Sequence, residues 1–472
     1  MAEVISQRGK KKLVYNHYIF WRDGQSSDGK TAFWRCSNYH KSFCKARLHT
    51  VDGLVTKELH EHSHLQEERH VQVAKLLTVV KERAGNANDT STPANIISDA
   101  TVGLPGAVRA HIVEKNLKRS IQRTRLRTVA APANPLNCTD LEIPDSYKNI
   151  LLDDAMGSEL FLQYDSGAEE NRILIFGTEE SKRVLELSEN WQADGTFKVT
   201  PPIFSQVYSI HASRHGDLVP ALYCLLPNKA QETYERLFRA AWQLIPNAHP
   251  TSFLVDFEMS AINAIRMVFD YDDLTVSGCF FHLNQNVRKH MQQIGLQRRY
   301  QNDQEFALLL RHIPALAFVP IQHLIEAFET LEEFLPDEML PLLDYFERTY
   351  IGRRFRTQLR RDPPYSHDFW NVHVRVLNGE ARTNNKVEGH HSLINRMLSM
   401  QHPTIWKFIE ALRKLQNINK NKIEALCAQG PPAKRRKYKD LDARLQTIVE
   451  DFANRDILDF LRGIAHNLQF AQ

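Results

Sequence analysis

Four potential metal ligands lie close together near the start of the chain. Seven residues separate Cys36 from Cys44, and seventeen more lead to His62, with His64 two positions further on. Two thiolates and two imidazoles complete a tetrahedral zinc shell, and so short a segment needs such a staple to fold by itself. The spacing therefore predicts a structural Zn²⁺ site in a small first domain at residues 1–66.

Two alternatives to this ligand set arise from the same residues. His60 competes as the fourth ligand, because spacing alone does not separate it from His62. The other alternative is a pair of small core cysteines beside an exposed histidine-rich turn. Six cysteines in 472 residues do not make a disulfide framework, and in a reducing compartment this arrangement favours a metal.

The sequence carries no signal for secretion or membrane insertion. Its first residues, MAEVISQRGKKK, contain no apolar region of a signal peptide, and no apolar run approaches the roughly 18 to 20 residues of a membrane span. We therefore expect a soluble, non-secreted protein with no membrane partner.

The aromatic-rich stretches around the ligands resemble the FLYWCH-type zinc finger. These stretches are LVYNHYIFWR, FWRC, CKARLHT and HEHSH, in that order. The resemblance implies a small antiparallel sheet pinned by Cys36, Cys44, His62 and His64. Basic residues beside the ligands suit contacts to DNA phosphates. They are Lys41, Lys45 and Arg47.

Positive charge is concentrated in short runs, although the net charge is only +4. One run, KNLKRSIQRTRLR, lies in a connector at residues 67–145 that reads as helices with a Gly-Pro interruption. Such clusters are typical of proteins that bind nucleic acids. We expect either a helix-turn-helix-like DNA reader or a basic scaffold helix. The candidate DNA contacts are Lys118, Arg119, Arg123, Arg125 and Arg127.

A series of strands and helices is predicted between residues 185 and 285. Apolar alternation and short apolar runs give the order strand, strand, strand, helix, strand, helix, strand. This is the order of the ribonuclease H-like fold, in which the first and fourth strands lie side by side. The first strand contains WQADGTFKV, the fourth contains SFLVDF and the last contains VSGCFFHL.

Two aspartates of this series would face each other across neighbouring strands. Asp194 lies in the first strand and Asp256 at the end of the fourth. Adjacent carboxylates repel unless a cation lies between them, and oxygen ligands suit Mg²⁺. Alone, the Asp194–Gly195 pair is equally consistent with a turn.

A third carboxylate is available in RTNNKVEGHHSLINRML. By itself, Glu388 fits a capping box in which Asn385 is the N-cap residue. Together with the two aspartates, Glu388 instead completes a cage of carboxylates for a metal ion. An early helix position allows both uses.

Several motifs of this region resemble the transposase domain of Mutator-like (MULE) elements, a DDE-type family. The motifs are DGTF, VPALYCLL, TYERLF, VDFEMSAINAI, CFFHLNQNV and TNNKVEGHHS. The resemblance implies Asp194, Asp256 and Glu388 as a catalytic triad that binds Mg²⁺ or Mn²⁺. It also implies Cys279 and His282 as a supporting Cys-x-x-His motif, although on a buried strand these residues would usually belong to the core.

The predicted architecture is α+β to α/β, with a β-rich zinc finger, the helical connector and a ribonuclease H-like catalytic domain at residues 146–425. A helical insertion is expected at about 290–380, as such transposases carry before the glutamate. The tail at 426–472 contains GPPAKRRKYK, which is typical of a nuclear import signal and places the protein in the nucleus. The signal residues are Lys434, Arg435, Arg436 and Lys437.

These features predict a transposon-derived DNA-binding protein with DDE transposase chemistry. Its partner would be DNA, in the form of terminal inverted repeats, and a homo-oligomer would hold two DNA ends. A domesticated, catalytically silent zinc-finger factor is the main alternative. A ribonuclease H-like nuclease without strand transfer is the third.

Overall fold

The computed structural model forms two compact units, at residues 1–133 and 134–472. The structure describes residues 2–5, 11–66, 68–86, 89, 91–110, 112–128, 131–151, 157–355, 359–398, 400–433 and 435–468. Within these ranges the side chains are also described, except those of Ala2, Ile5 and residues 126–128. No helix within these ranges is long and apolar enough to cross a membrane.

The first unit begins with a six-stranded antiparallel sheet whose strands follow sequence order. The strands are β1 (Ala2–Ile5), β2 (Lys11–Tyr15), β3 (Tyr18–Gln25), β4 (Thr31–Cys36), β5 (Arg47–Val51) and β6 (Leu54–Leu59). Asn16 and His17 join β2 to β3 with φ of 45° and 63°. Positive φ at both positions of a two-residue turn matches the twist of the flanking strands. This β-rich sheet is the kind expected of a small zinc finger.

Helices make up the rest of the first unit in its described residues. They are α1 (Tyr39–Ser42), between β4 and β5, and α2 (Glu68–Gly85), α3 (Pro93–Thr101), α4 (Gly106–Arg109) and α5 (Glu114–Thr128). Thr92 caps α3 by accepting a hydrogen bond from the backbone N–H of Asn95. Helices α2, α3 and α5 share an apolar cluster that includes Val80, Ile96 and Ile121. The basic connector is therefore a packed helical bundle.

The second unit combines strands and helices. Its strands are β7 (Asn149–Leu151), β8 (Ser158–Leu160), β9 (Leu162–Asp165), β10 (Leu174–Phe176), β11 (Asn190–Thr196), β12 (Gln206–Arg214), β13 (Asp217–Leu226), β14 (Ser252–Val255) and β15 (Thr275–Gly278). Its first helices are α6 (Asp145–Lys148), α7 (Glu179–Glu186), α8 (Gln231–Leu244), α9 (Met259–Val268) and α10 (Phe280–Gln293).

The remaining helices follow β15 in the chain. They are α11 (Gln297–Asn302), α12 (Gln304–Ala315), α13 (Leu324–Phe334), α14 (Leu340–Phe346), α15 (His367–Trp370), α16 (His373–Leu377), α17 (Asn385–Leu398), α18 (Ile405–Gln429), α19 (Arg436–Glu450) and α20 (Ile457–Asn467). Short 3₁₀ segments lie at Leu316–Phe318, Ile321–His323, Asp337–Met339 and Phe452–Asn454, and a π-helical turn at Glu347–Ile351.

A seven-stranded mixed sheet forms the centre of the second unit, with strand order β15-β14-β11-β12-β13-β10-β9. β11 and β14 are adjacent and parallel, as the first and fourth strands of the predicted series should be, and β15 is parallel to β14. The other neighbours are antiparallel. Strands β9 and β10, which sequence patterns did not predict, extend the sheet beyond β13.

Helices and other side chains cover both faces of this sheet, and Asp194 lies on the face opposite to α8 and α9. Trp191 and Ala193 of β11 belong to the core formed with α8 and α9. Because side chains alternate along a strand, Asp194 points to the other face. Helix α17 packs against β11 and β13 on that face, and its Ile394 shares a second core with Tyr223.

The helices between α10 and α17 correspond to the predicted insertion, and the C-terminal helices pack with them. α20 contacts α12 and α13, while α19 contacts α16. Leu310 of α12 and Leu461 of α20 belong to the same core. The segment after residue 426 is thus partly integrated into the second unit.

Two local expectations from the sequence are wrong. The last predicted strand, VSGCFFHL, ends at Gly278, and α10 begins at Phe280 with Cys279 as its N-cap residue. A short apolar run fits a strand or a buried helix equally well, which explains the error. The turn alternative for Asp194 and Gly195 also fails, because both residues lie within β11.

Candidate zinc and carboxylate sites

The four predicted zinc ligands come together in the first unit. Cys36 ends β4, Cys44 follows α1, and His62 and His64 follow β6. One ligand atom from each residue lies within 4.8 Å of all the others. His60 is exposed and does not belong to this cluster, so the geometry favours His62 as the third ligand.

The distances inside this cluster suit Zn²⁺. Cys36 Sγ lies 3.2 Å from His64 Nε2, Cys44 Sγ lies 3.4 Å from His62 Nδ1, and the two ring nitrogens are 3.4 Å apart. Usual zinc bond lengths in a tetrahedral shell give about 3.6 Å for sulfur to nitrogen and about 3.3 Å between nitrogens. The Tyr18 ring stacks on His62 at 3.5 Å and orients it.

The imidazole of His62 is held in the form that binds metal. Burial lowers the pKa of His62 to about 4, and the neighbouring His64 adds to the effect. The ring is therefore neutral at physiological pH, with a nitrogen lone pair available to a cation. This supports a ligand role for His62 in place of a solvent-exposed turn.

Three predicted DNA contacts flank the zinc ligands, and the structure separates them into two kinds. Lys41 and Lys45 are exposed. Arg47 is engaged internally, with its guanidinium 3.6 Å from an Asp23 carboxylate oxygen and 4.9 Å from the centre of the Tyr39 ring. Between the lysines, Phe43 is 82% exposed and has a φ of 52°, which is unusual for a large residue. Sequence patterns did not identify it.

The predicted contacts on α5 also differ from one another. Lys118, Arg119 and Arg123 are exposed. Arg125 donates hydrogen bonds to the backbone carbonyls of Asp89 and Ser91 at 3.2 and 2.6 Å, so its guanidinium fastens a loop of the bundle. A DNA contact by Arg125 stays a prediction, and the structure gives this residue a second, internal role. The side chain of Arg127 lies outside the described residues.

The two predicted strand aspartates lie on adjacent parallel strands. The register pairs Gln192 with Leu254, and continuing it by two residues places Asp194 beside Asp256. Asp194 is 2% exposed, and Asp256 directly follows β14. Oδ1 of Asp256 is buried and has no hydrogen-bond partner among the described residues. A buried carboxylate oxygen without a hydrogen-bond partner has the chemistry of a ligand for a hard divalent cation.

Glu388 reaches the same site from α17. Ligand atoms of Asp194, Glu388 and His391 all lie within 4.8 Å of one another, and Asp256 is outside that group. α17 begins at Asn385, which is therefore not an N-cap residue, and Glu388 Oε1 lies 3.3 Å from His282 Nε2. The capping-box alternative does not describe this geometry.

Asn384 links Asp194 to the Cys-x-x-His segment. Its side-chain N–H donates to Asp194 Oδ2 at 3.3 Å, and its side-chain oxygen accepts from Cys279 Sγ at 2.9 Å. Cys279 thus positions Asn384, and Asn384 in turn positions Asp194, while His282 contacts Glu388. Asn384 and His391 were both missed from the sequence. The Glu388-x-x-His391 spacing could have revealed the second, because residues three apart share a helix face.

The electrostatics of this site reflect three buried or half-buried acids next to the imidazole of His282, with His391 close by. Burial raises the pKa of Asp194 to about 8, with Asp256 and Glu388 adding to the rise and His282 opposing it. Burial also raises the pKa of Asp256. Burial opposes a charged His282, but Cys279, Glu388 and Asp194 together raise its pKa to about 11. The hydrogen bond to His282 in turn lowers the pKa of Glu388.

Two residues of the predicted nuclear import signal, Arg436 and Lys437, are the first of α19, and Arg435 is its N-cap residue. Arg435, Arg436 and Lys437 are exposed, as such a signal requires. Lys434 lies outside the described residues.

Comparison with protein families agrees with both sites. Residues 3–64 match the FLYWCH zinc finger domain, and residues 190–286 match the MULE transposase domain. The first match contains all four zinc ligands, and the second contains Asp194, Asp256, Cys279 and His282 but ends before Glu388. Curated proteins give no significant match.

The chain thus carries the domains of a transposon-derived DNA-binding protein. Its FLYWCH zinc finger domain lies at residues 3–64 and its MULE transposase domain at residues 190–286. The finger match and the Cys36, Cys44, His62 and His64 cluster together support structural Zn²⁺.

Proposed function

We propose that the second unit is a ribonuclease H-like DDE transposase domain that cuts and joins DNA strands at element ends with Mg²⁺ or Mn²⁺. The observation that carries this proposal is the meeting of Asp194 with Glu388, beside Asp256 on the adjacent parallel strand. The MULE match and the strand order β15-β14-β11-β12-β13 support it.

The donor set suits divalent cations. Buried carboxylates repel one another, and Oδ1 of Asp256 has no hydrogen-bond partner among the described residues. Asp194, Glu388 and Asp256 would supply the carboxylate ligands, with Asp256 outside the group that Asp194 and Glu388 form. Bound ions would activate the attacking oxygen and stabilise the leaving one in an in-line displacement.

The chain's own residues keep these ligands in place. Asn384 holds Oδ2 of Asp194, Cys279 fixes Asn384, and His282 restrains Glu388. Rigid carboxylates reduce the reorganisation needed when charge develops on the phosphate. The reaction has two displacements: water attacks phosphorus and releases a 3′-hydroxyl, and that hydroxyl then attacks a target phosphodiester and displaces its 3′-oxygen.

DNA binding by the first unit completes the proposal. Lys41 and Lys45 would contact phosphates, and Phe43 between them would stack on or wedge between bases, as exposed aromatics of DNA-binding proteins do. The exposed basic residues of α5 would extend this surface. We further propose terminal inverted repeats as the DNA, a homo-oligomer that holds two ends, and nuclear import through residues 434–437.

The test is cleavage of DNA that carries a candidate element end, with Mg²⁺ or Mn²⁺ added. We expect Asp194→Asn, Asp256→Asn and Glu388→Gln each to lower the rate by at least about a hundredfold. The exposed Asp272 supplies the matched control, Asp272→Asn, which should cleave like the wild type. Wild-type rates in any of the three variants would remove that residue from the triad.

The domesticated alternative predicts a different outcome of the same assay. If the wild type binds authentic ends with high affinity but cuts none with either ion, the chain is a silent DNA-binding factor that retains the fold. Cleavage without joining to a second DNA would favour the nuclease alternative.

A further inference from the structure

We propose that His391 is a ligand of the ion held by Asp194 and Glu388, and that this imidazole makes the site prefer Mn²⁺ or another first-row transition ion over Mg²⁺. The inference rests on the proposed function, because it requires a cation at these carboxylates. It adds a nitrogen donor to a site otherwise described by oxygen ligands alone.

The first reason is the placement of His391. Glu388 and His391 are three residues apart on α17, so their side chains project from one face of the helix toward β11. Paired Glu-x-x-His residues on helices hold metal ions in this way in other proteins. His391 is buried, and one of its nitrogens completes the 4.8 Å group with Asp194 and Glu388.

The second reason is the distance between His391 and Asp194. Nδ1 of His391 lies 3.8 Å from Oδ2 of Asp194. This is too long for a hydrogen bond, which rarely exceeds about 3.2 Å between nitrogen and oxygen. Two donors that each bond one ion at about 2.1 Å lie up to about 4.2 Å apart, so the observed separation suits a shared cation.

The third reason is the hydrogen bonding of the other ring nitrogen. Nε2 of His391 lies 2.8 Å from Ser209 Oγ, which also lies 2.9 Å from His211 Nε2. Ser209 Oγ has a single proton for two neighbouring imidazole nitrogens, so at least one of the two rings must donate to it. We assign that donation to His391 Nε2, which leaves a lone pair on Nδ1 toward Asp194.

The adjacent histidine shows how specific this arrangement is. Nε2 of His390 lies 2.8 Å from the Tyr223 hydroxyl, and His390 is not in the group with Asp194. Both histidines are buried on the same helix. His390→Gln is therefore a matched control for His391→Gln.

The preference for the metal follows from ligand chemistry. Mg²⁺ is bound almost entirely by oxygen donors and waters, whereas first-row transition ions gain from an imidazole ligand, Mn²⁺ least and the later ions more. A site with two carboxylates and one imidazole should bind Mn²⁺ more tightly than Mg²⁺. Removing the imidazole should reduce the difference between the Mn²⁺ and Mg²⁺ affinities, because a nitrogen ligand adds little to the affinity for Mg²⁺.

The experiment measures Mn²⁺ in the zinc-loaded full chain by electron paramagnetic resonance. Titration gives the Mn²⁺ affinity, Mg²⁺ competition gives the preference, and electron spin echo modulation reports a nitrogen bound to Mn²⁺. We expect nitrogen modulation in the wild type, in His390→Gln and in His282→Gln, and none in His391→Gln. The last variant should also lose at least about tenfold in Mn²⁺ affinity with little change for Mg²⁺.

A second variant keeps His391 and changes Ser209, the residue that the Nε2 atom of His391 contacts. Ser209→Ala removes the acceptor of the Nε2 proton, and loss of such a partner commonly weakens metal binding by about 10- to 100-fold. Nitrogen modulation should persist at higher Mn²⁺ concentrations. This variant gives an answer even if His391→Gln fails to fold.

Two results would overturn the inference in distinguishable ways. Mn²⁺ binding that Asp194→Asn abolishes, but that shows no nitrogen modulation or loses it in His282→Gln instead, rejects His391 as ligand and leaves the proposed function standing. Absence of any Mn²⁺ binding that depends on Asp194 rejects both the carboxylate metal site and the inference.

Discussion

The zinc cluster and the carboxylate cluster depend on the fold in opposite ways. The zinc ligands fall between Cys36 and His64, in a unit whose sheet core is small. The carboxylates span from Asp194 to Glu388 and are brought together by a large sheet with helices on both faces. In the first case the metal should hold the fold together, and in the second the fold should hold metal ligands that repel one another.

The largest expected effect is therefore unfolding of the zinc finger, residues 11–66, on loss of zinc. Structural zinc contributes about 10 to 16 kcal/mol of apparent binding free energy, far more than the small core can replace. Cys36→Ser should abolish protection of residues 11–66 against hydrogen exchange while β11 to β15 remain protected. Cys427→Ser, at an exposed cysteine, is the control. Retained protection of the finger after zinc removal would make the metal dispensable.

The carboxylate cluster should destabilise the second unit instead of holding it together. When no Mg²⁺ or Mn²⁺ is added, we expect the free energy of unfolding to fall as the pH rises. Burial raises the pKa of Asp194 from 3.8 to about 8. A raised acid pKa means that the folded state binds the proton more tightly, so its stability contribution is full below about pH 4 and is lost as pH rises toward 8. The loss is up to about 5 kcal/mol.

Asp194→Asn should flatten this pH dependence and leave the second unit at least as stable as the wild type near pH 8. The measurement is urea unfolding of the zinc-loaded chain, followed through the second unit between pH 5 and 8. An equally steep decline in the variant would assign the pH dependence to other groups.

A smaller effect is expected on the salt dependence of DNA affinity. Exposed basic residues should contribute to it, and basic residues that form internal hydrogen bonds should not. Each phosphate contact contributes about one unit to the salt dependence of affinity. The paired change Lys41→Glu and Lys45→Glu should reduce that slope by about two. Arg125→Ala should leave the slope unchanged and weaken the helical bundle, since Arg125 fastens the loop at Asp89 and Ser91. A reduced slope for Arg125→Ala would place its guanidinium on DNA.

The smallest effect concerns the strained phenylalanine beside the zinc ligands. Phe43 has a φ of 52°, and this conformation costs an ordinary residue about 1 to 2 kcal/mol. Phe43→Gly should relieve the strain and stabilise the finger by about 1 kcal/mol or less, because glycine also gains entropy when unfolded. DNA affinity should nevertheless fall. Unchanged affinity would leave Phe43 without a role in binding.

Sequence patterns predicted the zinc site, whose residues lie close together in the chain, better than the carboxylate site, whose residues lie far apart. Spacing in one short segment indicated a zinc site with Cys36 and Cys44, whereas the choice of His62 over His60 needed the FLYWCH resemblance and the observed cluster. The adjacency of β11 and β14 followed from the order of strands and helices. The links from Asn384 to Asp194 and from His391 to Ser209 join residues far apart in the chain, and no periodicity encodes them. The beginning of α10 was misjudged because a short apolar run does not distinguish strand from helix.

The most direct test of the central claim is anomalous X-ray scattering from crystals of the zinc-loaded chain soaked in Mn²⁺. The account predicts a zinc signal among Cys36, Cys44, His62 and His64 and a separate manganese signal touching the Asp194 carboxylate. Asp194→Asn should remove the second signal only. A zinc signal in the finger with no manganese at Asp194, at Mn²⁺ concentrations that saturate binding in solution, would contradict the account.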